Sequence, residues 1–124
     1  MNMFRITDEV RQLLLGSQEI TGMIARKVFP IMAPENTDGD FIVYQRDGYK
    51  QDSTKFGISS QTPIVFVSAV SDDYERSIDL ASMIYDTLSG DFRDPDMHIE
   101  LEDSTEDFID KKYIQVLQFS IRQR

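Results

Sequence analysis

The chain has 124 residues, with 13 basic and 22 acidic side chains and a net charge of −9 at pH 7. Charged residues make up 28% and apolar residues 40%, the balance of one globular domain spanning 1–124 rather than of a disordered chain. That acidity argues against holding nucleic acid by general charge attraction, which needs a basic face to displace counterions. There is no cysteine, which excludes disulfides, thiolate metal sites and cysteine nucleophiles, and a lone histidine, His98, excludes mechanisms needing two imidazoles.

No apolar run approaches the roughly 20 residues that cross a bilayer. The N-terminus, MNMFRITDEV, lacks a basic start followed by an apolar stretch. No secretory signal is therefore expected, and synthesis in the cytoplasm is the default.

Met3, Ile6, Val10, Leu13 and Leu14 recur at spacings of three and four, which predicts a first helix. Asn2 is its expected cap and Gly16 its expected left-handed end. Ser17 then caps a short helical piece through Ile20 and Ile24. Val28-Phe29-Pro30 reads as a short extended segment, because Pro30 and Pro34 forbid a helix there. Residues 41–46 and 62–71 read as strands, the second with Ile64, Phe66 and Val70 on one face. The polar stretch 47–61 is long for a hairpin loop, which usually has about two to five residues. Either the strands run on into it as a projecting ribbon, or it is mobile.

A main helix is predicted over 72–89, capped by Asp72 or Ser71 and stopped at Gly90. Tyr74, Ile78, Ala81, Ile84, Tyr85 and Leu88 form its expected apolar face. Two strands follow, at 97–102 and 111–122. In the last, Tyr113, Leu117, Phe119 and Ile121 share one face, and Ile114 and Val116 the other.

The expected fold is α+β: a mainly antiparallel sheet of four to five strands with two main helices packed on one face, in the order α-β-β-β-α-β-β. Val65, Val67, Ala69, Ile114 and Val116 are read together as its second, apolar face. Either that face meets another subunit, or the sheet curls and buries it alone.

Charge is concentrated. Residues 91–110 hold nine acids and one base, a charge of −8, against −1 for the rest of the chain. Glu100, Glu102, Asp103, Glu106 and Asp107 are the candidate acidic surface: a solvated edge that resists unwanted pairing, or a surface that faces a partner or repels phosphate. A divalent-cation site is weighed as well, but the spacing is not that of an EF-hand. In the 47–61 stretch, Tyr49, Lys50, Lys55 and Phe56 are the candidate partner contacts. Interleaved bases and aromatics also suit single-stranded nucleic acid, yet two lysines are few for it.

No GxSxG, Walker or GxGxxG pattern occurs, and no nucleophile motif accompanies His98, which reads as structural or surface. No catalytic residue, metal ligand or cofactor is assigned.

Arg26-Lys27-Val28-Phe29-Pro30, Ala33-Pro34 and Phe41-Ile42-Val43-Tyr44-Gln45 follow one another in a recognisable order. They resemble the "R-I-Y-P … A-P … P-Y-I-V-Y-Q" opening of the tail-completion, or head–tail joining, proteins of long-tailed phages. The long polar hairpin, the helix with its Leu-Ser-Gly end and the acidic hairpin before a final strand match in order too. Asp40 stands where that family often has proline, and the tryptophan common near the position of Ala69 is missing. The resemblance implies a non-enzymatic phage or prophage virion subunit with this α+β fold. It implies a homo-oligomeric ring, often hexameric, that terminates the tail tube and meets the head connector. Its implied partners are the tail-tube and connector proteins, with no cofactor, membrane, small-molecule substrate or specific nucleic acid. An acidic lumen in such a ring, made by 91–110, would not grip passing DNA. Two other readings stand beside it. One is a cytoplasmic bacterial ligand-binding or regulatory domain, which needs a deep pocket with convergent polar groups. The other is a small hydrolase with two carboxylates of shifted pKa in one cleft.

Overall fold

Ile6, Val10 and Leu14 are nearly solvent-free and line the inner side of a helix, Ile6–Leu15 (α1), entered through a 3-10 turn at Met3–Arg5. This is a computed structural model, and it describes residues 3–54 and 57–123. The expected cap of α1, Asn2, lies outside the described residues. Gly16 does not take the expected left-handed conformation; its φ is −78°, because a second helix begins at once. Ser17 Oγ accepts from Ile20 N at 3.3 Å and opens that helix, Gln18–Ile24 (α2).

The strands are β1 (Val28–Pro30), β2 (Phe41–Thr54), β3 (Gly57–Ser71), β4 (Gly90–Phe92), β5 (Met97–Ile109) and β6 (Lys112–Gln123), with a helix, Tyr74–Leu88 (α3), between β3 and β4. They form one six-stranded sheet in the order β1-β2-β3-β6-β5-β4. Only β1 and β2 run parallel; the other neighbours are antiparallel. The expected α+β class holds, with a mixed sheet of six strands and with three α-helices among the described residues. The ribbon alternative holds for the described residues 47–54 and 57–61: pairing of β2 with β3 continues from Phe41 opposite Val70 to Thr54 opposite Gly57. The strand expected at 97–102 runs on to Ile109, and Asp110 and Lys111, at φ 51° and 65°, make the tight turn into β6.

The cap of α3 is Asp73, not Asp72 or Ser71: Asp73 Oδ2 accepts from Arg76 N at 3.0 Å, while Ser71 Oγ accepts from Asp73 N at 3.1 Å. The inner face of α3 is Ser77, Leu80, Ile84 and Leu88. The expected stripe is therefore rotated: Leu80 is fully buried, whereas Tyr74 and Tyr85 are 41% and 46% exposed.

The helices pack on one face of the sheet, α3 against β3 and β6 and α1 against β2. That face carries Ile42, Val65, Val67, Ala69, Leu117, Phe119 and Ile121, all buried. The grouping of Val65, Val67 and Ala69 with Ile114 and Val116 is corrected by the register. Val65 stands opposite Phe119 and Val67 opposite Leu117, so these valines point at the helices, while Ser68 and Val70 stand opposite Val116 and Ile114. Partners in register share a face, and a shift of one residue exchanges the faces.

Candidate interaction surface

The sheet's other face is built in cross-strand rows. Phe29, Val43, Ser68, Val116 and Thr105 form one row, and Phe41, Val70, Ile114 and Asp107 the next. Gln45, Phe66, Gln118 and Asp103 form a third. The first two rows are mostly apolar, the third is mixed, and all three end on β5 in polar or acidic residues. Val43, Phe66, Ile114 and Val116 are only half-buried. Phe29 and Phe41 meet edge to face, with centroids 6.2 Å apart.

A groove of about 390 Å³ runs over this surface. Its walls are strand residues, the 31–33 loop and the β5–β6 turn, with none from a helix. Ile31 and Met32 stand 68% and 77% exposed on one rim, and Ile109 50% exposed on the other. Lys112 closes one end, its Nζ 2.7 Å from Asp72 Oδ1 and 6.0 Å from the Phe41 ring centroid. An apolar groove rimmed by charge is the kind of surface that serves as an interaction site or a ligand groove.

The five candidate acids do not lie together. Glu100, Asp103 and Asp107 share the face of the groove, and Glu102 sits at the irregular step in the β5–β6 pairing, where it accepts from Ser120 Oγ at 2.6 Å. Glu106 lies on the helix side instead, with Oε2 accepting from Tyr74 Oη at 2.7 Å and from Gln115 Nε2 at 2.8 Å. Tyr113 packs against Tyr74 and Phe108 beside it, at centroid distances of 5.6 and 4.7 Å.

The Gln115 and Tyr74 hydrogen bonds hold the Glu106 carboxyl below its ordinary 4.5, and the same carboxylate keeps the Tyr74 hydroxyl protonated to higher pH. A depressed carboxyl pKa adds stability above the unfolded value, and that stability is lost as pH falls through the lower folded value. Glu106→Gln is therefore expected to melt at lower temperature than the wild type at pH 7, with the gap closing below about pH 4.5. Melting curves across pH 7 to 3 check this; a gap that does not change with pH contradicts it.

Of the candidate partner contacts, Tyr49 and Lys50 lie in the β2–β3 ribbon, in register with Pro63 and Thr62. Lys55 and Phe56 lie outside the described residues. His98 stands on β5 with Nδ1 2.9 Å from Asp91 Oδ1. Among the described residues, no group of three or more His, Asp or Glu is arranged to hold a metal ion.

Two features gave no signal in the sequence. Asp40, only 6% exposed, accepts from Arg76 Nε at 2.7 Å and so ties the start of β2 to α3. The second is a cavity of about 240 Å³ at the outer margin of β2, lined by Phe4, Thr7, Pro30, Ile31, Tyr44, Gln45 and Arg46. The Arg46 guanidinium stacks on Phe4, its Cζ 4.6 Å from the ring centroid. Its Nη1 is buried with no hydrogen-bond partner among the described residues. Leaving a donor in that state costs about 1–3 kcal/mol, and more for a charged one. Tyr44 forms part of the wall, and burial pushes its hydroxyl above the ordinary 10.0, opposed by the nearby Arg11 charge.

No family model matches the sequence, and no curated protein sequence matches it. Among solved structures, the fold is shared with a chain from the "Virion of native gene transfer agent (GTA) particle", at a TM-score of 0.77 and 14% identity over 92% of this chain and 90% of that one.

Proposed function

We propose that this protein is a non-enzymatic structural subunit of a phage-like virion, acting as a tail terminator. Copies form a ring at the head-proximal end of the tail, stop growth of the tail tube and join it to the head connector. The observation that carries the reading is the apolar sheet face that no described helix covers, and the fold shared with a chain of a virion particle supports it. In this reading a neighbouring copy covers the groove. The β2–β3 ribbon, which carries Tyr49 and Lys50, reaches toward the tail-tube or connector protein, with Lys55 and Phe56 as further proposed contacts. Glu100, Asp103 and Asp107 border the subunit contact.

Light scattering and electron microscopy over a concentration series test the proposal, with and without a phage tail-tube protein. Closed rings that cap tube ends are the expected result. A monomer at every concentration that also ignores the tube protein contradicts it.

A further inference from the structure

We propose that the Arg46 cavity is a carboxylate-binding site whose occupant is the outer edge of β5, through Asp103 and Asp107, in a second copy of this chain. The contact rests on the ring reading above and supplies its seam. Nη1 of Arg46 is buried and unmatched among the described residues, the guanidinium carbon lies 4.6 Å from the Phe4 ring centroid, and the residue as a whole is only partly buried and lines the cavity. A carboxylate fits the planar fork of N–H donors that a guanidinium presents. Among the described residues no ion pair involves Arg46, and Asp8 pairs with Arg5 at 3.4 Å.

The proposed donors of the carboxylate are exposed. Asp103 Oδ1 accepts from Ser104 N and Asp107 Oδ1 from Phe108 N, at 2.9 and 2.8 Å, which leaves each a second oxygen. They belong to the segment that carries nearly all of the chain's net charge, so cavity and edge are complementary in sign. They also lie toward opposite ends of the sheet. Pairing with β1 stops at Tyr44, and pairing of β5 with β4 stops at Ile99, so β2 and β5 each run on with a free outer side among the described residues. Patches on opposite margins of one subunit suit a head-to-tail contact, which closes into a ring when the rotation allows. Ile31 lines both the Arg46 cavity and the groove, so an arm seated at Arg46 continues over the apolar face.

The test is a charge exchange read by sedimentation over a concentration series. Arg46→Glu alone, and Asp103→Lys/Asp107→Lys alone, are expected to weaken assembly about 30-fold or more. An equimolar mixture of the two is expected to assemble within about threefold of the wild type, since each then meets an opposite charge. Arg46→Met, which removes the unmatched Nη1 donor, is expected to melt no lower than the wild type yet fail to assemble. Rings of wild type, Arg46→Glu and Arg46→Met that form alike overturn this contact and leave the ring standing. A wild type that never associates overturns both. Succinate that raises the melting temperature through Arg46, while Arg46→Met still assembles, assigns the cavity to a small carboxylate and overturns the second copy as its occupant.

Discussion

Val116→Glu is expected to leave the fold intact and the protein monomeric. Val116 is half-buried at the centre of the open face, between Ser68 of β3 and Thr105 of β5. It points away from the helices, so the substitution removes no core contact. The change in strand preference is worth less than about 1 kcal/mol. In an assembled contact, the new carboxylate is stripped of water with no partner. Substitutions at the centre of an interface cost about 2 kcal/mol or more, which is roughly a 30-fold loss of association. Val116→Ile keeps a branched apolar side chain and is expected to assemble as the wild type does. Sedimentation of the three proteins, with circular dichroism as the check on folding, decides the matter. Assembly of Val116→Glu at wild-type concentrations contradicts the expectation.

The largest expected loss of stability comes from Leu80→Ala. Leu80 is fully buried on the inner face of α3. Truncating a buried leucine removes transfer energy and leaves a cavity, at a cost of about 2–5 kcal/mol. For a domain of this size, that lowers the melting temperature by roughly 8–20 °C. Tyr85→Ala on the same helix is expected to cost little, within about 0.5 kcal/mol, because Tyr85 is 46% exposed. Thermal denaturation of both variants checks the pair. Equal losses would mean that the inner face of α3 is assigned wrongly.

The pair also marks a limit of reading the sequence. A period near 3.6 locates the helix, but Tyr74 and Tyr85 are large and apolar enough to draw the predicted face toward themselves. In the folded chain the face turns toward Ser77 and Leu80, while the Tyr74 hydroxyl reaches Glu106. The strands at 41–46 and 62–71 are legible from β-branched and aromatic runs. Their register is not, because period-two alternation names two faces without saying which meets the helices. Val65 and Ile114 look equivalent in sequence, and only the pairing with β6 separates them. The continuation of β5 through Glu106 and Asp107 runs against local preference, since acids are poor strand formers. Hydrogen bonding along β6 holds it as strand as far as Ile109. β4 is three residues long and carries no pattern. The Arg46 cavity is a tertiary product: the 3-10 turn that enters α1 brings Phe4 to a residue that, in the sequence, is simply the end of a strand.

The apolar face that no described helix covers and the acidic border of β5 make the two sides of the sheet unlike: on that face Phe41 and Val70 are buried, while Val43, Phe66, Ile114 and Val116 are half-buried. The helix side is closed by α1, α2 and α3, and the groove side has no such cover among the described residues. The absence of native cysteine permits a direct probe of that difference. Ser68→Cys places one thiol in the groove, and Ser82→Cys places one on the exposed side of α3. The rate of maleimide labelling is measured for each variant, dilute and assembled. The account predicts that both thiols react freely when dilute and that assembly protects the thiol at 68 while the thiol at 82 stays reactive. Equal labelling of the thiol at 68 in the dilute and assembled states would contradict it.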